Sequence, residues 1–146
     1  MSDERKYDVL KLDNQLCFPL YAASREVVKR YRPYLEPLGL TYTQYITMMV
    51  FWEQKKCSVK ELGERLYLDS GTLTPVLKSL EAKGFVCRYR STEDERVLIV
   101  EITEAGRQLR DRALNVPAQL GACVQLEPGE AQALHGLLYK LLGALE

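Results

Sequence analysis

The segment between Ser58 and Gly84 constrains the fold most strongly, because its start and stop signals fix the lengths of two helices. Ser58, with Glu61 three residues later, is typical of a capping box that opens a short helix. A turn follows over residues 67–71, and residues 72–83 predict a second helix that ends at Gly84. A short helix, a tight turn and a longer helix form the helix-turn-helix pattern.

The two sides of this motif differ in chemistry. The positions that we expect to face inward are all apolar: Leu62, Leu66, Leu73, Val76, Leu77 and Leu80. The positions left outside, around the start of the second helix, are small, hydroxylated or cationic: Ser70, Gly71, Thr72, Thr74, Pro75 and Lys78. Such a surface can approach the major groove of DNA, with Ser70, Thr72, Thr74 and Lys78 as candidate contacts.

Two strands follow the motif directly. Residues 85–90 and 97–102 have the composition of strands, and the polar residues 91–96 join them. Arg88, Arg90 and Arg96 concentrate positive charge in this hairpin. A charged hairpin tip alone indicates ordinary solvation, but after a helix-turn-helix it predicts a DNA-binding wing, with Arg96 near its tip as the candidate for a minor groove.

Helices are predicted on both sides of this unit. One covers residues 13–32 and is broken by Pro33 and Pro37, and a second covers residues 42–54. After the wing, a helix starts at residues 103–106 and runs toward residue 122 with a kink at Pro117. A last helix starts at residues 127–128 and has leucines at spacings of three and four: Leu134, Leu137, Leu138, Leu141 and Leu145. This stripe needs a partner surface, either the first helix or a second subunit.

Composition limits the possible functions. The 146 residues indicate one domain, and 20 basic and 20 acidic residues give a net charge of zero, which excludes a diffuse polyelectrolyte binder. The first residues lack an apolar signal region and no run approaches the ~18 apolar residues of a membrane span, so we expect a cytoplasmic protein without membrane contact. Four cysteines without a C-x-x-C pair, and one histidine, are a poor zinc set, so we expect neither a metal nor a cofactor.

Cys17 is the most reactive candidate among the four cysteines. Asp13 is a plausible N-cap and Pro19 suits only the first turn of a helix, so both place Cys17 at a helix start. The free amide groups of that turn favour a thiolate, the form that reacts with peroxides. The alternative is that Cys17 is a small apolar residue packed between Leu16 and Leu20.

The order of these elements resembles the MarR family of dimeric bacterial transcription regulators over nearly the whole chain. Asp94, Glu95 and Arg96 at the wing, followed by residues 98–103 and Gly106, are similar to its signature. The match is closer to the OhrR-type organic hydroperoxide sensors of that family. It is carried by Leu12-Asp13-Asn14-Gln15-Leu16-Cys17-Phe18, by Leu40-Thr41-Tyr42 with Gln44-Tyr45, and by the run from Gly63 to Pro75.

The resemblance implies roles for individual residues. Cys17 matches the peroxidatic cysteine, and Tyr31 and Tyr42 match tyrosines that hydrogen-bond its sulfur across the dimer interface. Hydroxyl groups that donate to a thiolate favour the charged form. Tyr21, one turn beyond Cys17, is expected to line the same pocket. Simple amphipathic packing is the alternative for these tyrosines.

The OhrR-type sensors that this chain resembles form two branches, which differ in the group that reacts with the oxidised cysteine. In one branch a small thiol caps the sulfenic acid; in the other a second cysteine of the partner subunit condenses with it. Cys123 falls where that second cysteine lies, so we expect an intersubunit Cys17–Cys123 disulfide. A packed Cys123 with a small thiol as the cap is the alternative. Pro19 departs from the family pattern, and it either tightens the first turn around the sulfur or shifts the exposure of the sulfur.

The expected protein is mainly α-helical with a small β-wing: one winged helix-turn-helix domain over residues 1–146. Residues 57–103 form its DNA-binding core, and residues 1–56 and 104–146 are helical dimerisation regions. The implied function is a homodimeric repressor, not an enzyme, that binds a pseudo-palindromic operator in double-stranded DNA and releases it when an organic hydroperoxide oxidises Cys17. A thiol peroxidase and a MarR-type repressor gated by a phenolic ligand are the alternatives.

Overall fold

The computed structural model describes residues 2–146, which form eight α-helices and one three-stranded antiparallel sheet. In chain order the elements are α1 (Ser2–Arg5), α2 (Cys17–Leu35), α3 (Tyr42–Gln54), β1 (Lys56–Ser58), α4 (Val59–Leu66), α5 (Ser70–Ala82), β2 (Val86–Arg90), β3 (Leu98–Ile102), α6 (Glu104–Ala113), α7 (Val116–Cys123) and α8 (Pro128–Leu145). Short 3₁₀ turns cover Lys6–Leu10, Leu12–Asn14 and Glu36–Leu38.

The core lies where α3, the helix-turn-helix and the sheet meet. Its fully buried side chains include Met48, Phe51, Leu62, Leu73, Leu77, Leu80 and Val100. Four of the six positions predicted to face inward are therefore buried, while Leu66 and Val76 are half-buried. The apolar spacing of the motif orients α5 so that its polar side faces solvent.

Hydrogen bonds at the helix ends fix the length of the two motif helices. The Ser58 hydroxyl accepts a hydrogen bond from the Glu61 amide at 3.1 Å, which is one half of the predicted capping box. The Asp69 carboxylate accepts from the Thr72 amide at 2.7 Å, so α5 starts at Ser70, two residues before the predicted start. Gly84, at φ +81°, supplies the left-handed backbone after α5 as predicted.

The sheet has one strand more than predicted. Its order is β1-β3-β2, and the two wing strands each begin one residue later than expected. The additional strand β1 has only three residues and pairs Cys57 with Val100. Cys57 is buried in this pairing, and burial raises the pKa of its thiol, so it is a structural residue.

Helix α2 differs at both ends from the predicted helix. It begins at Cys17 with Leu16 at the N-cap, and Asp13 lies in a preceding 3₁₀ turn, so the predicted cap at Asp13 is wrong. It also continues through Pro33 to Leu35, so Pro33 does not break it. Pro33 lies on the exposed side of the helix, so the backbone carbonyl that its missing amide leaves unpaired is accessible to water. The helix ends at the 3₁₀ segment that contains Pro37.

Pro19 is compatible with the start of this helix. It is the third residue of α2, and its missing amide would have pointed at the Gln15 carbonyl, which precedes the helix. First-turn amides have no partner within the helix, so Pro19 removes no helical hydrogen bond.

The C-terminal region is divided into three helices. The predicted kink at Pro117 is a break, with α6 ending at Ala113 and Pro117 second in α7. Helix α8 contains no buried residue, and its leucine stripe faces solvent in the single chain. Helix α8 therefore exposes a large apolar face in the single chain.

A substitution at Gly106 tests the close packing of α6 against Phe85 and Ile102. A Cβ atom there would overlap the Phe85 carbonyl oxygen and lie 2.7 Å from Ile102 Cγ1. We expect Gly106→Ala to lower the free energy of unfolding by about 1–3 kcal/mol, as overpacking does, in urea denaturation at fixed protein concentration. Gly129→Ala, where nothing lies within 4 Å, is the control and should stay within about 1 kcal/mol of the parent. Equal effects in both variants would contradict the close packing at Gly106.

Candidate functional site

Cys17 occupies the first position of α2 and its side chain is exposed. The prediction that it lies at a helix start is confirmed. Packing between Leu16 and Leu20 does not occur within the chain, because Leu16 is 82% exposed and Leu20 39% exposed. The sulfur therefore lies beside the free amide groups of the first turn and within reach of a small oxidant.

Tyr31 and Tyr42 form an aromatic cluster away from Cys17. Their ring centroids are 4.8 Å apart, and Tyr45 lies 5.7 Å from Tyr31 and 6.3 Å from Trp52. Burial, with smaller contributions from Tyr42 and Tyr45, raises the pKa of Tyr31 to about 12. Burial also raises the pKa of Tyr42 and of Tyr45. All three phenols thus keep their protons at neutral pH and can donate hydrogen bonds.

The length of α2 separates these tyrosines from the cysteine of the same chain. Tyr31 follows Cys17 by fourteen residues in one helix, which corresponds to about 21 Å at 1.5 Å per residue. A hydrogen bond between them within one chain is excluded. Tyr21 alone lies one turn from Cys17, and its hydroxyl accepts a hydrogen bond from Arg25 at 3.0 Å.

Cys123 ends α7, at the opposite end of α2 from Cys17. Its Sγ lies 3.1 Å from the Tyr34 hydroxyl and donates to the Gln119 carbonyl at 3.6 Å. Tyr34 was not among the predicted site residues, although it follows Tyr31 by three residues and thus shares its side of the helix. This hydrogen bond raises the pKa of Tyr34, so the phenol keeps its proton.

A buried polar network joins the tyrosine cluster to α5, the second helix of the helix-turn-helix. Gln44 follows Tyr42 in α3, is 6% exposed, and donates to the Ser79 hydroxyl at 2.9 Å. Lys83, just beyond α5, donates to the Gln44 side-chain oxygen at 2.9 Å and also to the Gly39 carbonyl. The start of α3 is therefore bonded to the end of α5, and the two helix ends are expected to move together.

The candidate DNA-contacting residues of α5 are all exposed. Ser70, Thr72 and Thr74 lie in its first turns, and Lys78 lies further along the helix. The Thr74 hydroxyl donates to the Ser70 carbonyl at 2.7 Å, which leaves its acceptor capacity outside. Hydrogen bonds from Thr72 hold the pKa of Asp69 below its usual range, so the capping carboxylate is charged at neutral pH.

The three wing arginines have different surroundings. Arg96 is 91% exposed and donates to Asp94 through Nε at 3.1 Å and Nη2 at 3.3 Å. Arg90 is exposed near the end of β2. Arg88 instead packs inward and donates from Nη2 to Glu81 at 3.1 Å, with a side chain only 21% exposed. Arg88 is therefore better explained as a partner of Glu81 than as a DNA contact.

Two further features concern membranes and metals. Across residues 2–146, no helix combines the length and the apolar character that a membrane crossing requires. In the same part of the chain, no group of three or more His, Cys, Asp or Glu side chains could hold a metal ion.

Comparison with known sequences shows clear relatives. The family model described as "Transcriptional regulator SarA/Rot" matches residues 29–113. The organic hydroperoxide resistance transcriptional regulator of Bacillus subtilis is 45% identical over 142 residues, which is 97% of this chain and 97% of the relative.

Solved structures show similarity over almost the full length. Reduced AbfR bound to DNA has a TM-score of 0.80 and 34% identity, covering 96% of each chain. Disulfide-formed AbfR has a TM-score of 0.66 and 33% identity, covering 99% of each chain. AbfR is a protein of Staphylococcus epidermidis.

Titration of Tyr31 tests the buried tyrosine cluster. Its folded-state pKa of about 12 exceeds the value of about 10 for an unfolded tyrosine, so its contribution to stability is complete below pH 10 and is lost as pH rises toward 12. We expect the difference in 295 nm absorbance between the parent and Tyr31→Phe to titrate near pH 12. A difference that titrates near pH 10 would contradict the burial of this phenol. Tyr7→Phe, at an exposed tyrosine, is the control.

Proposed function

The chain belongs to the MarR family of transcription regulators, in the group of the organic hydroperoxide resistance regulators, and on this premise we propose that it is a redox-sensing repressor that releases its operator when an organic hydroperoxide oxidises Cys17. The observation that carries the proposal is the exposed thiol at the first position of α2. The helix start favours the thiolate, which is the nucleophile toward peroxides.

A second copy of this chain is the partner that covers the apolar face of α8. All α8 leucines are at least partly exposed, and Leu137 and Leu145 are 63% and 74% exposed. The N-terminal segment adds Val9, Leu10 and Leu16, each more than 70% exposed. The exposure of both apolar surfaces in the single chain supports a homodimer through residues 1–56 and 104–146, with residues 57–103 as the DNA-binding core.

The dimer binds a pseudo-palindromic operator with one α5 in each half-site. Two half-sites about 34–36 Å apart suit the symmetry of such a dimer. Ser70, Thr72, Thr74 and Lys78 lie at the major groove. Arg90 and Arg96 extend the positive surface along the wing, with Arg96 toward the minor groove.

Oxidation starts with attack by the Cys17 thiolate on the hydroperoxide ROOH. The sulfur bonds to the terminal oxygen, the O–O bond breaks, and the alkoxide leaves and takes up a proton to give the alcohol ROH. Cys17 becomes a sulfenic acid. Tyr21 lies one turn away on the same helix, and Tyr31 and Tyr42 of the partner subunit supply protonated phenols that stabilise the thiolate.

Cys123 of the partner subunit resolves the sulfenic acid. The two cysteines of one chain lie at opposite ends of α2, about 25 Å apart by the rise of the helix, while a disulfide needs Cα atoms about 4.4–6.8 Å apart. An antiparallel arrangement of the two α2 helices in the dimer brings each Cys17 near the Cys123 end of the other chain. The likeness to disulfide-formed AbfR supports disulfide formation as the outcome of oxidation.

The disulfide releases DNA through the helix α3. Closing the bridge displaces the start of α2 in one subunit and the end of α7 in the other. Because α7 packs along α2, the displacement reaches the end of α2, where Tyr31 packs on Tyr42. The Gln44 network passes the displacement of α3 to the end of α5, which misplaces the recognition helix. The protein consumes hydroperoxide stoichiometrically in the cytoplasm, and genes for peroxide detoxification are expressed as a result.

Operator binding by three proteins tests this function. We expect the parent to lose operator affinity at least tenfold after treatment with one equivalent of a lipid-like hydroperoxide, whereas Cys17→Ser keeps its affinity. Cys123→Ser should form a sulfenic acid but no disulfide-linked dimer on a non-reducing gel. Gel-shift titration with and without a reductant measures the affinity, and Cys87→Ser, an exposed cysteine on β2, is the control that should respond like the parent.

Three outcomes would contradict the proposal. Continuous hydroperoxide turnover with a thioredoxin-coupled reductant would indicate a thiol peroxidase. Release of DNA by a phenolic compound with no response to hydroperoxide would indicate a ligand-gated repressor. A Cys123→Ser protein with the full parental response would assign the capping step to a small thiol.

Substitution of Lys78 tests whether the exposed side of α5 contacts DNA. We expect Lys78→Ala to weaken operator and non-operator binding by similar factors. The slope of log affinity against log salt should fall by about 1 for each DNA phosphate that the lysine neutralises. Fluorescence anisotropy at several salt concentrations measures both quantities. Lys56→Ala, at an exposed lysine in β1, should keep the parental slope. An unchanged slope in Lys78→Ala would remove this residue from the interface.

A further inference from the structure

We propose that Tyr34 is a positioning residue for the disulfide-forming step, in which its phenol orients the Cys123 sulfur and donates a hydrogen bond to the attacking thiolate. This inference rests on the proposed function, since it concerns the step that follows the oxidation of Cys17. It assigns a role to a tyrosine that belongs neither to the Cys17 pocket nor to the DNA-binding face.

The position of Tyr34 is set by the fold. Its ring is half-buried and packs against the core, near the end of α2, so the hydroxyl has a fixed place. Helix α7 packs along α2 and brings Cys123 to this hydroxyl, with 3.1 Å between the oxygen and Sγ. Cys123 is exposed and is the last helical residue of α7. The hydrogen bond therefore selects one orientation for an otherwise accessible sulfur.

The raised pKa of Tyr34 makes its hydroxyl the donor in this hydrogen bond. The hydrogen bond to Cys123 and partial desolvation raise the pKa of Tyr34, while the positive charge of Arg30 opposes the shift. Tyr34 consequently keeps its proton at neutral pH. Helix α7 has the sequence Val-Pro-Ala-Gln-Leu-Gly-Ala-Cys and carries no other ionisable side chain. Tyr34, on α2, is thus the side chain whose hydroxyl contacts this sulfur.

Disulfide formation between Cys123 and the oxidised Cys17 needs no further reactant. The Cys123 thiolate attacks the sulfur of the partner subunit's oxidised Cys17, an S–S bond forms, and the S–O bond breaks. Hydroxide leaves and takes up a proton to give water. Together with the first oxidation, two thiols and one ROOH give one disulfide, one ROH and one water. A donor at the attacking sulfur raises the thiolate fraction and aligns the nucleophile.

The variant Tyr34→Phe separates this role from packing, because it keeps the ring and removes only the hydroxyl. We expect it to fold, to bind operator and to form sulfenic acid at Cys17 as the parent does. Disulfide formation after that step should be about tenfold slower at pH 7, as the loss of one hydrogen bond to a charged group implies. Its rate should also reach half of its maximum at a higher pH.

Two probes follow the reaction in rapid-quench samples. A 1,3-dicarbonyl reagent that alkylates sulfenic acids measures their lifetime, and non-reducing gels measure the linked dimer. With excess hydroperoxide, Tyr34→Phe should accumulate sulfinic acid at Cys17, because slow resolution leaves time for a second oxidation. Tyr89→Phe removes the hydroxyl of a tyrosine on the wing and should retain the parental rate and pH profile.

The outcomes distinguish this inference from the proposed function. A parental rate and a parental pH profile in Tyr34→Phe, with normal disulfide formation in the parent, would overturn the role of Tyr34 alone. If the parent forms no disulfide and behaves like Cys123→Ser, the resolving step and the role of Tyr34 are both overturned. A slow rate with an unshifted pH profile would also overturn the hydrogen-bond role, since it would indicate altered packing only.

Discussion

Helix α2 is the constraint on which the proposed sensor depends, because it is a rigid spacer that holds Cys17 apart from Tyr31 and Tyr34. Cys17 starts the helix, while Tyr31 and Tyr34 lie near its end, and the helical rise separates the two ends by more than about 20 Å. No rearrangement that preserves α2 brings them together within one chain. In the proposed mechanism Cys17 therefore meets Tyr31, Tyr42 and Cys123 of the partner subunit, and dimerisation completes the sensor site as well as the DNA-binding surface.

In the proposed mechanism, the change at the cysteines reaches the DNA-binding helix α5 through a second rigid element, helix α3. Tyr42 and Gln44 belong to the same first turn of α3; one packs on Tyr31 and the other bonds to Ser79 at the end of the recognition helix. Because Gln44 is buried, a displacement that broke its hydrogen bonds would leave unpaired polar atoms, which is unfavourable. The helices are therefore expected to shift as a unit when the interface rearranges.

Local signals in the sequence were sufficient for the helix-turn-helix and for α3, since caps, glycines and apolar spacing act within a few residues. Pro19 alone correctly placed Cys17 at a helix start. Features that depend on distant residues could not be predicted. Strand β1 exists only because β3 pairs with it, and Tyr34 contacts Cys123 across 89 residues of sequence. Asp13 failed as a cap because the chain before α2 forms a 3₁₀ turn instead.

The proposed sensor disulfide joins two chains, and mass spectrometry of isotopically mixed dimers tests this claim most directly. Unlabelled and ¹⁵N-labelled protein are mixed in equal amounts, exchanged under reducing conditions, and oxidised with one equivalent of organic hydroperoxide before proteolysis. We expect about half of the Cys17–Cys123 peptides to combine one labelled and one unlabelled partner, as random pairing of subunits requires. Linked peptides with both partners from the same isotope pool only would show that the bridge closes within one chain, and would contradict the claim.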